Sequence, residues 1–421
     1  MRGLRWSLLL LLIVTIASVP SQADDIDYHS KTLPNGLKVI YKYLSGAKIV
    51  TARVVVPVGM LDEPRRLRGI SHLLEHLIYR GNHRYNPADF HREIDDQGGT
   101  YNGLTTLDRT EYFMIIPPAQ LPKALPLYLD MIAHPGLTET NIALEKKIIH
   151  IENEMRNTPG NVFFLYLNAL TQQQMDNTLQ TITHSDLVQY HNQYYQTSKM
   201  TVIITGKFQY PEIEKILADV QTETPTQNGT TPQWQLTASK NPIILEDYLM
   251  GEEYQLLFGF DLKQLPAKDR IIAKTLPYIL TYESRQYDHL TDRPLDYDFY
   301  LLNIVKQNYL LLMYRDPREK FSPELEQWHR KNLDRYFKYL KTKNFDQFLQ
   351  LLTKAIDKRF EVIKSDAFAL NEYLCEQLFD SGDFFVEDIP ALRSLTSRDI
   401  RNFVQKYLEG ASYQTIVVKA L

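Results

Sequence analysis

Two stretches of this chain match in register: THSDLVQYHNQYYQTSKMTVIIT at 183–205 and TSRDIRNFVQKYLEGASYQTIVV at 396–418. Thr183 falls on Thr396, Asp186 on Asp399, Leu187 on Ile400, Tyr190 on Phe403 and Tyr194 on Tyr407. Each stretch reads as an amphipathic helix followed by an apolar strand, and one register holds through both elements. A single repeat at so long a period means a duplicated domain, because solenoid units are shorter. The fold expected from it is α+β, two homologous domains, each a mostly antiparallel sheet covered by helices.

The segment between the copies agrees. QTETPTQNGTTPQWQ at 221–235 is rich in Thr, Gln and Pro, lacks helical periodicity and reads as an exposed linker. The expected division is a leader at 1–23, a first domain at 24–220, a linker at 221–240 and a second domain at 241–421. Within the first domain, LPNGLKVIYKYL carries an Asn-Gly turn, TARVVVPVG and EYFMIIPP read as strands, and PKALPLYLDMIAH and ETNIALEKKIIHIENEMRN as helices. In the second, YQLLFGFDL and NYLLLMYRD read as strands, with helix over 267–283 and most of 323–363.

The leader has Arg2 and Arg5 ahead of an apolar run at Leu8–Ile16, then Ser21-Gln22-Ala23 as a cleavage site. It predicts export, to the periplasm or the medium, with cleavage near Ala23. The run is short for a membrane span, and no cysteine follows to carry lipid, so no membrane anchor is expected. A net charge of −4 with interspersed signs gives nucleic-acid binding no support. Cys375 is the only cysteine. An intramolecular disulfide and a cysteine-based zinc cluster are therefore excluded, and Cys375 reads as a buried structural thiol in a helix. Any metal site must use His, Asp and Glu.

HLLEH at 72–76 offers that chemistry. His72 and His76 lie one helical turn apart and share a face, with Glu75 beside the second. This is the zincin motif inverted, H-x-x-E-H. Leu73, Leu74 and Leu77 would equally make a core stripe around incidental histidines, so the motif alone decides little. Catalytic zinc usually takes three protein ligands. LEKKIIHIENEM offers Glu145, Glu152 and Glu154 as the third. Glu145 and Glu152, two turns apart on one face, allow one to ligate while the other orients a histidine. His150 lies elsewhere on that helix; His83, His91 and His134 read as surface or loop histidines.

LPNGLKV, GMLDEPRRLRGISHLLEHLIYRG, GGTYNGLTTLDRTEYF, EKKIIHIE, YHNQYYQTSKMTVIITGKF and YQLLFGF together resemble the M16 (pitrilysin, insulinase, mitochondrial processing peptidase) family of inverted-motif zinc metallopeptidases, across nearly the whole chain after the leader. The resemblance implies the M16/LuxS-like metallohydrolase type of fold and one Zn2+ per chain. His72, His76 and Glu152 would be the ligands, Glu145 the supporting acid and Glu75 the general base and acid. The interval from His76 to Glu152 is one residue shorter than usual in the family, which leaves Glu154 as a rival. Asn102 and Gly103 would lie on an edge strand that binds the peptide backbone of a substrate, and Gly98 and Gly99 would permit close approach to it.

One segment departs from the family. Where an arginine and a tyrosine of the second domain usually contact substrate, this chain has SRQYDHLTDRPLDY. Tyr297 falls at the tyrosine, Thr291 stands at the arginine position, and Arg293 is the nearest substitute. With a length about half that of the single-chain members, this implies a homodimer, or a heterodimer with a second M16-like subunit that supplies Arg and Tyr. The expected function is zinc-dependent endoproteolysis of extended peptides or unfolded segments. The other readings are a non-catalytic M16-like scaffold and an exported binding protein with an incidental HLLEH.

Overall fold

The computed structural model describes residues 26–156, 178–222, 242–247, 254–287, 291, 297–304, 307–316, 322–379 and 382–420. The expected leader, all but the first two residues of the expected linker, and Arg293 lie outside the described residues.

The first sheet has six strands: β1 (His29–Thr32), β2 (Lys38–Tyr43), β3 (Val50–Val56), β4 (Thr100–Thr105), β5 (Thr110–Ile116) and β6 (Thr201–Gly206). Their order is β1-β2-β6-β3-β5-β4. The second has β7 (Ile243–Asp247), β8 (Tyr254–Lys263), β9 (Tyr297–Ile304), β10 (Gln307–Asp316) and β11 (Gln414–Ala420), in the order β7-β11-β8-β10-β9. Apart from β1 the two orders are the same path. β6 runs parallel to β2 and antiparallel to β3, and β11 runs parallel to β7 and antiparallel to β8. The duplication read from the sequence is therefore a duplication of topology.

The matched stretches coincide element by element. The first-half helix spans His184–Tyr194 and its counterpart Ser397–Tyr407. Thr183 and Asp186 form a reciprocal capping box, as do Thr396 and Asp399. Two orphan donors are satisfied at each helix start, which fixes the starting residue in both copies. The strands that follow begin at Thr201 and Gln414.

Helices cover the first sheet on one face: α1 (Ile70–Ile78), α2 (Pro87–Asp95), α3 (Leu121–Ala133) and α4 (Glu139–Arg156). Strand β3 is buried at every position, so both of its faces are covered. Successive side chains point to opposite faces. Val50, Ala52, Val54 and Val56 enter the core under α1 and α3, whereas Val55 joins the core of the second half. Ile40 and Ile203 alternate in the same way with their neighbours Val39, Tyr41, Val202 and Ile204.

A second-half helix, Ala367–Leu378, lies on that far face. Asn371, fully buried, donates to Thr51 O at 3.1 Å, Ile203 O at 3.0 Å and Thr205 Oγ1 at 3.1 Å. It accepts from Arg53 Nε at 2.8 Å. Arg53 also pairs with Glu111, which accepts from Arg109 Nε at 2.6 Å, and Arg109 Nη2 reaches Glu376 Oε1 at 2.5 Å. Cys375 sits on this helix with no exposure, as the sequence implied. The two halves are thus interlocked through a polar seam as well as a shared apolar layer.

Candidate metal centre

Helix α1 is tightly seated. Leu73, Leu74, Leu77 and Ile78 are fully buried, so the leucines of HLLEH do form a core stripe. Gly69 precedes the helix at φ +88°, a left-handed conformation that favours glycine. The buried Glu63 carboxylate accepts from Gly69 N and Ser71 N, both at 2.9 Å, satisfying donors at the helix start. Burial pushes the Glu63 carboxyl up to about 6 despite those bonds and the nearby Arg68.

The opposite stripe of α1 faces α4. On α4, Ile142 and Ile149 enter the core, and Glu145 and Glu152 share that side at helical spacing. His76 Nδ1 donates to Glu145 Oε2 at 2.8 Å, which leaves the Nε2 lone pair for another partner. Glu145 is almost wholly buried, and its other oxygen accepts from Arg80 Nε. Burial would raise the Glu145 carboxyl, but the bonds from His76 and Arg80 hold it below its ordinary value. For His76, burial opposes the charged form, yet the bond to Glu145 and the charges of Glu75 and Glu152 keep the imidazole above its ordinary value.

His72 Nε2 and His76 Nε2 stand 3.2 Å apart. Glu152 Oε2 is 3.7 Å from His72 Nε2, and Glu152 Oε1 is 3.6 Å from His76 Nε2. Four donors about 2.1 Å from a tetrahedral zinc would be about 3.4 Å apart, so two imidazoles and a carboxylate at these distances fit that ion. Among the described residues this is the one group of three such side chains whose ligand atoms converge, all within 4.8 Å.

Glu75, 8% exposed, is one residue from His76 and accepts from Thr105 Oγ1 at 2.6 Å. Asn102 and Gly103 lie on β4, the edge strand beside α1. Asn102 Oδ1 accepts from Gly103 N at 2.9 Å. Tyr297 is elsewhere: it opens β9, lies in the second-half core, and shares a 2.7 Å bond with His329 Nδ1. His150 is exposed, and the side chain of Glu154 lies outside the described residues.

Three residues at this centre went unread in the sequence. Arg80 falls one turn after His76, so helical spacing could have flagged it. Thr105 sits two residues from Gly103, so strand alternation puts both on one face. Glu63 gave no local signal, because it precedes Pro64 in an irregular loop.

A two-sheet α+β fold with this histidine–glutamate cluster on its first half defines the class as an M16-type metallopeptidase fold. Two family profiles match in succession: "Insulinase (Peptidase family M16)" over residues 38–183 and "Peptidase M16 inactive domain" over 181–352. The chain belongs to peptidase family M16. Among curated relatives, "Zinc protease PqqE" of Helicobacter pylori is 28% identical over 209 residues, covering 47% of each chain. "Protease 3" of Escherichia coli is 26% identical over 228 residues, covering 51% of this chain and 24% of its own. The matches thus span about half of the first relative's length and about a quarter of the second's. In structure, a protease from Helicobacter pylori superposes with a TM-score of 0.78 at 19% identity, covering 93% of this chain and 99% of that one. No helix among the described residues is long and apolar enough to cross a membrane.

Proposed function

We propose that this chain is a zinc-dependent endopeptidase acting on extended peptides or unfolded protein segments. The observation that carries the proposal is the convergence of His72, His76 and Glu152 at distances that suit zinc. His72 and His76 bind through Nε2 and Glu152 through its carboxylate, and Glu145 fixes the tautomer and orientation of His76. Zinc held there supplies Lewis acidity toward the scissile carbonyl. Glu75 takes the proton of the attacking water and delivers it to the leaving amine. Strand β4, with Asn102 and Gly103, presents its outer edge to an extended backbone, so recognition rests on main-chain hydrogen bonds rather than one side-chain sequence.

Export follows from the leader, with the enzyme working in the periplasm or the medium. Assembly as a homodimer or a heterodimer with a second M16-like subunit is part of the same reading. It is supported by Thr291 at the arginine position and by the engagement of Tyr297 with His329 in the second-half core. Cleavage of a quenched fluorescent peptide by the zinc-loaded wild type tests the function. Turnover should vanish with a chelator and in Glu75→Gln. Full turnover by Glu75→Gln would overturn the mechanism, and substoichiometric zinc in the purified chain would overturn the metal assignment.

A further inference from the structure

The Glu75 side chain has three rotatable bonds, and a general base is useful only in one orientation. Strand β4 meets it at two points. Thr105 Oγ1 donates to Glu75 Oε2 at 2.6 Å, with both residues buried. Gly103, on the same face of the strand, has no side chain where a Cβ would come within 2.7 Å of Glu75 Cγ and Oε1. One carboxylate oxygen is tethered, and the other lies against bare backbone.

The tether is itself anchored. Thr105 pairs with Thr110 at the end of the β4–β5 ladder, and Thr110 Oγ1 donates to Val58 O at 2.9 Å. Thr106 Oγ1 donates to Arg109 O at 3.0 Å, closing the turn between the strands. Thr105 therefore has a fixed backbone and a stiff, β-branched side chain.

We infer that Thr105 is a positioning residue for Glu75, holding its carboxylate in the working orientation while Gly103 leaves room for it. The inference rests on the reading of Glu75 as the general base. Thr105 touches neither substrate nor metal ligand in this scheme; it acts through Glu75. A valine at 105 keeps the branched shape and removes only the hydroxyl.

The test compares full-length wild type, Thr105→Val, Thr105→Ser and Glu75→Gln, each loaded with zinc, on a quenched fluorescent peptide. Thr105→Val should lose about 10- to 100-fold in kcat, with KM within about twofold, the size of effect that a slightly misplaced catalytic group produces. Thr105→Ser should recover most of that loss, which a merely structural defect would not predict. Zinc content and Tm should match wild type in both. Crystal structures give a readout independent of turnover: Glu75 should be rotated or spread over several orientations in Thr105→Val and seated in Thr105→Ser. Wild-type kcat in Thr105→Val beside a dead Glu75→Gln would overturn the inference, and so would an unmoved Glu75 in the Thr105→Val crystal. An active Glu75→Gln, or a wild type inactive both alone and with a second M16-like subunit, would instead overturn the proposed function, leaving the crystal comparison to judge the seat.

Discussion

Replacing Asn371 by leucine tests how far the two halves depend on one another. The two side chains share a branched outline of four heavy atoms and leucine is the bulkier, so the exchange removes polar bonds without opening a cavity. Lost are the bonds that the two amide hydrogens share among Thr51 O, Ile203 O and Thr205 Oγ1, and one from the charged Arg53. At about 1 kcal/mol for each of the two N–H groups and about 3 kcal/mol for the charged bond, whose guanidinium stays buried, the loss is about 5 kcal/mol. Burying leucine returns about 1.5 kcal/mol, so the net destabilisation is about 3.5 kcal/mol. With an m-value of about 3 kcal/mol/M, the urea midpoint should fall by about 1 M. Because the helix Ala367–Leu378 packs on β3 and β6, fluorescence and circular dichroism should report one shared transition with unchanged slope. A midpoint shift below about 0.3 M, or a first transition confined to one half, would refute the seam as a main source of stability.

Three more expectations concern single groups. Glu145→Gln should weaken zinc binding by about 10- to 100-fold, read by competition against a chromogenic chelator, because His76 loses the carboxylate that orients it. Glu63 has its carboxyl raised from 4.5 to about 6 by burial, so the folded state binds a proton more tightly than the unfolded chain. The contribution of Glu63 is then most favourable below pH 4.5 and declines by about 2 kcal/mol as pH rises through 6 to about 7. The stability difference between wild type and Glu63→Gln, from urea melts, should follow that decline and be flat above it; no change across the window would refute the assignment. Cys375 is buried and its thiol is pushed up by burial, so a thiol-reactive chromogen should label the native protein only when its helix lifts off the sheet. Labelling should speed up by about 100-fold or more in Asn371→Leu, and an unchanged rate would show that labelling does not report that opening.

Much of the fold was legible because it is written locally. The Thr-Asp capping boxes, the apolar stripes behind them and the strands that follow are short-range patterns, and they recur in register at 183 and 396. The pair His72 and His76 was legible for the same reason, since one helical turn fixes their common face. Glu152 needed a second helix: spacing alone left Glu145, Glu152 and Glu154 open, and the resemblance to the family chose among them. What stayed hidden depends on distant contacts. Asn371 meets Arg53 across 318 positions of chain, and nothing near either residue announces the other. Thr105 reads as one more threonine in a strand until α1 is laid against it. The strand β9 was missed because its start follows a proline-containing, charged stretch that reads as loop.

A sheet has two faces and two edges, and this chain occupies most of those approaches to its first sheet. Helices α1 and α3 take one face, and the second half takes the other. The β1 edge is four residues long, with Lys31 paired to Glu214, a short and charged border that discourages another strand. Among the described residues, that leaves the β4 side, next to His72, His76 and Glu152, as the approach for a long extended chain. Under the proposed function, entry is therefore directional: a peptide guest would come from that side, with its backbone aligned to β4.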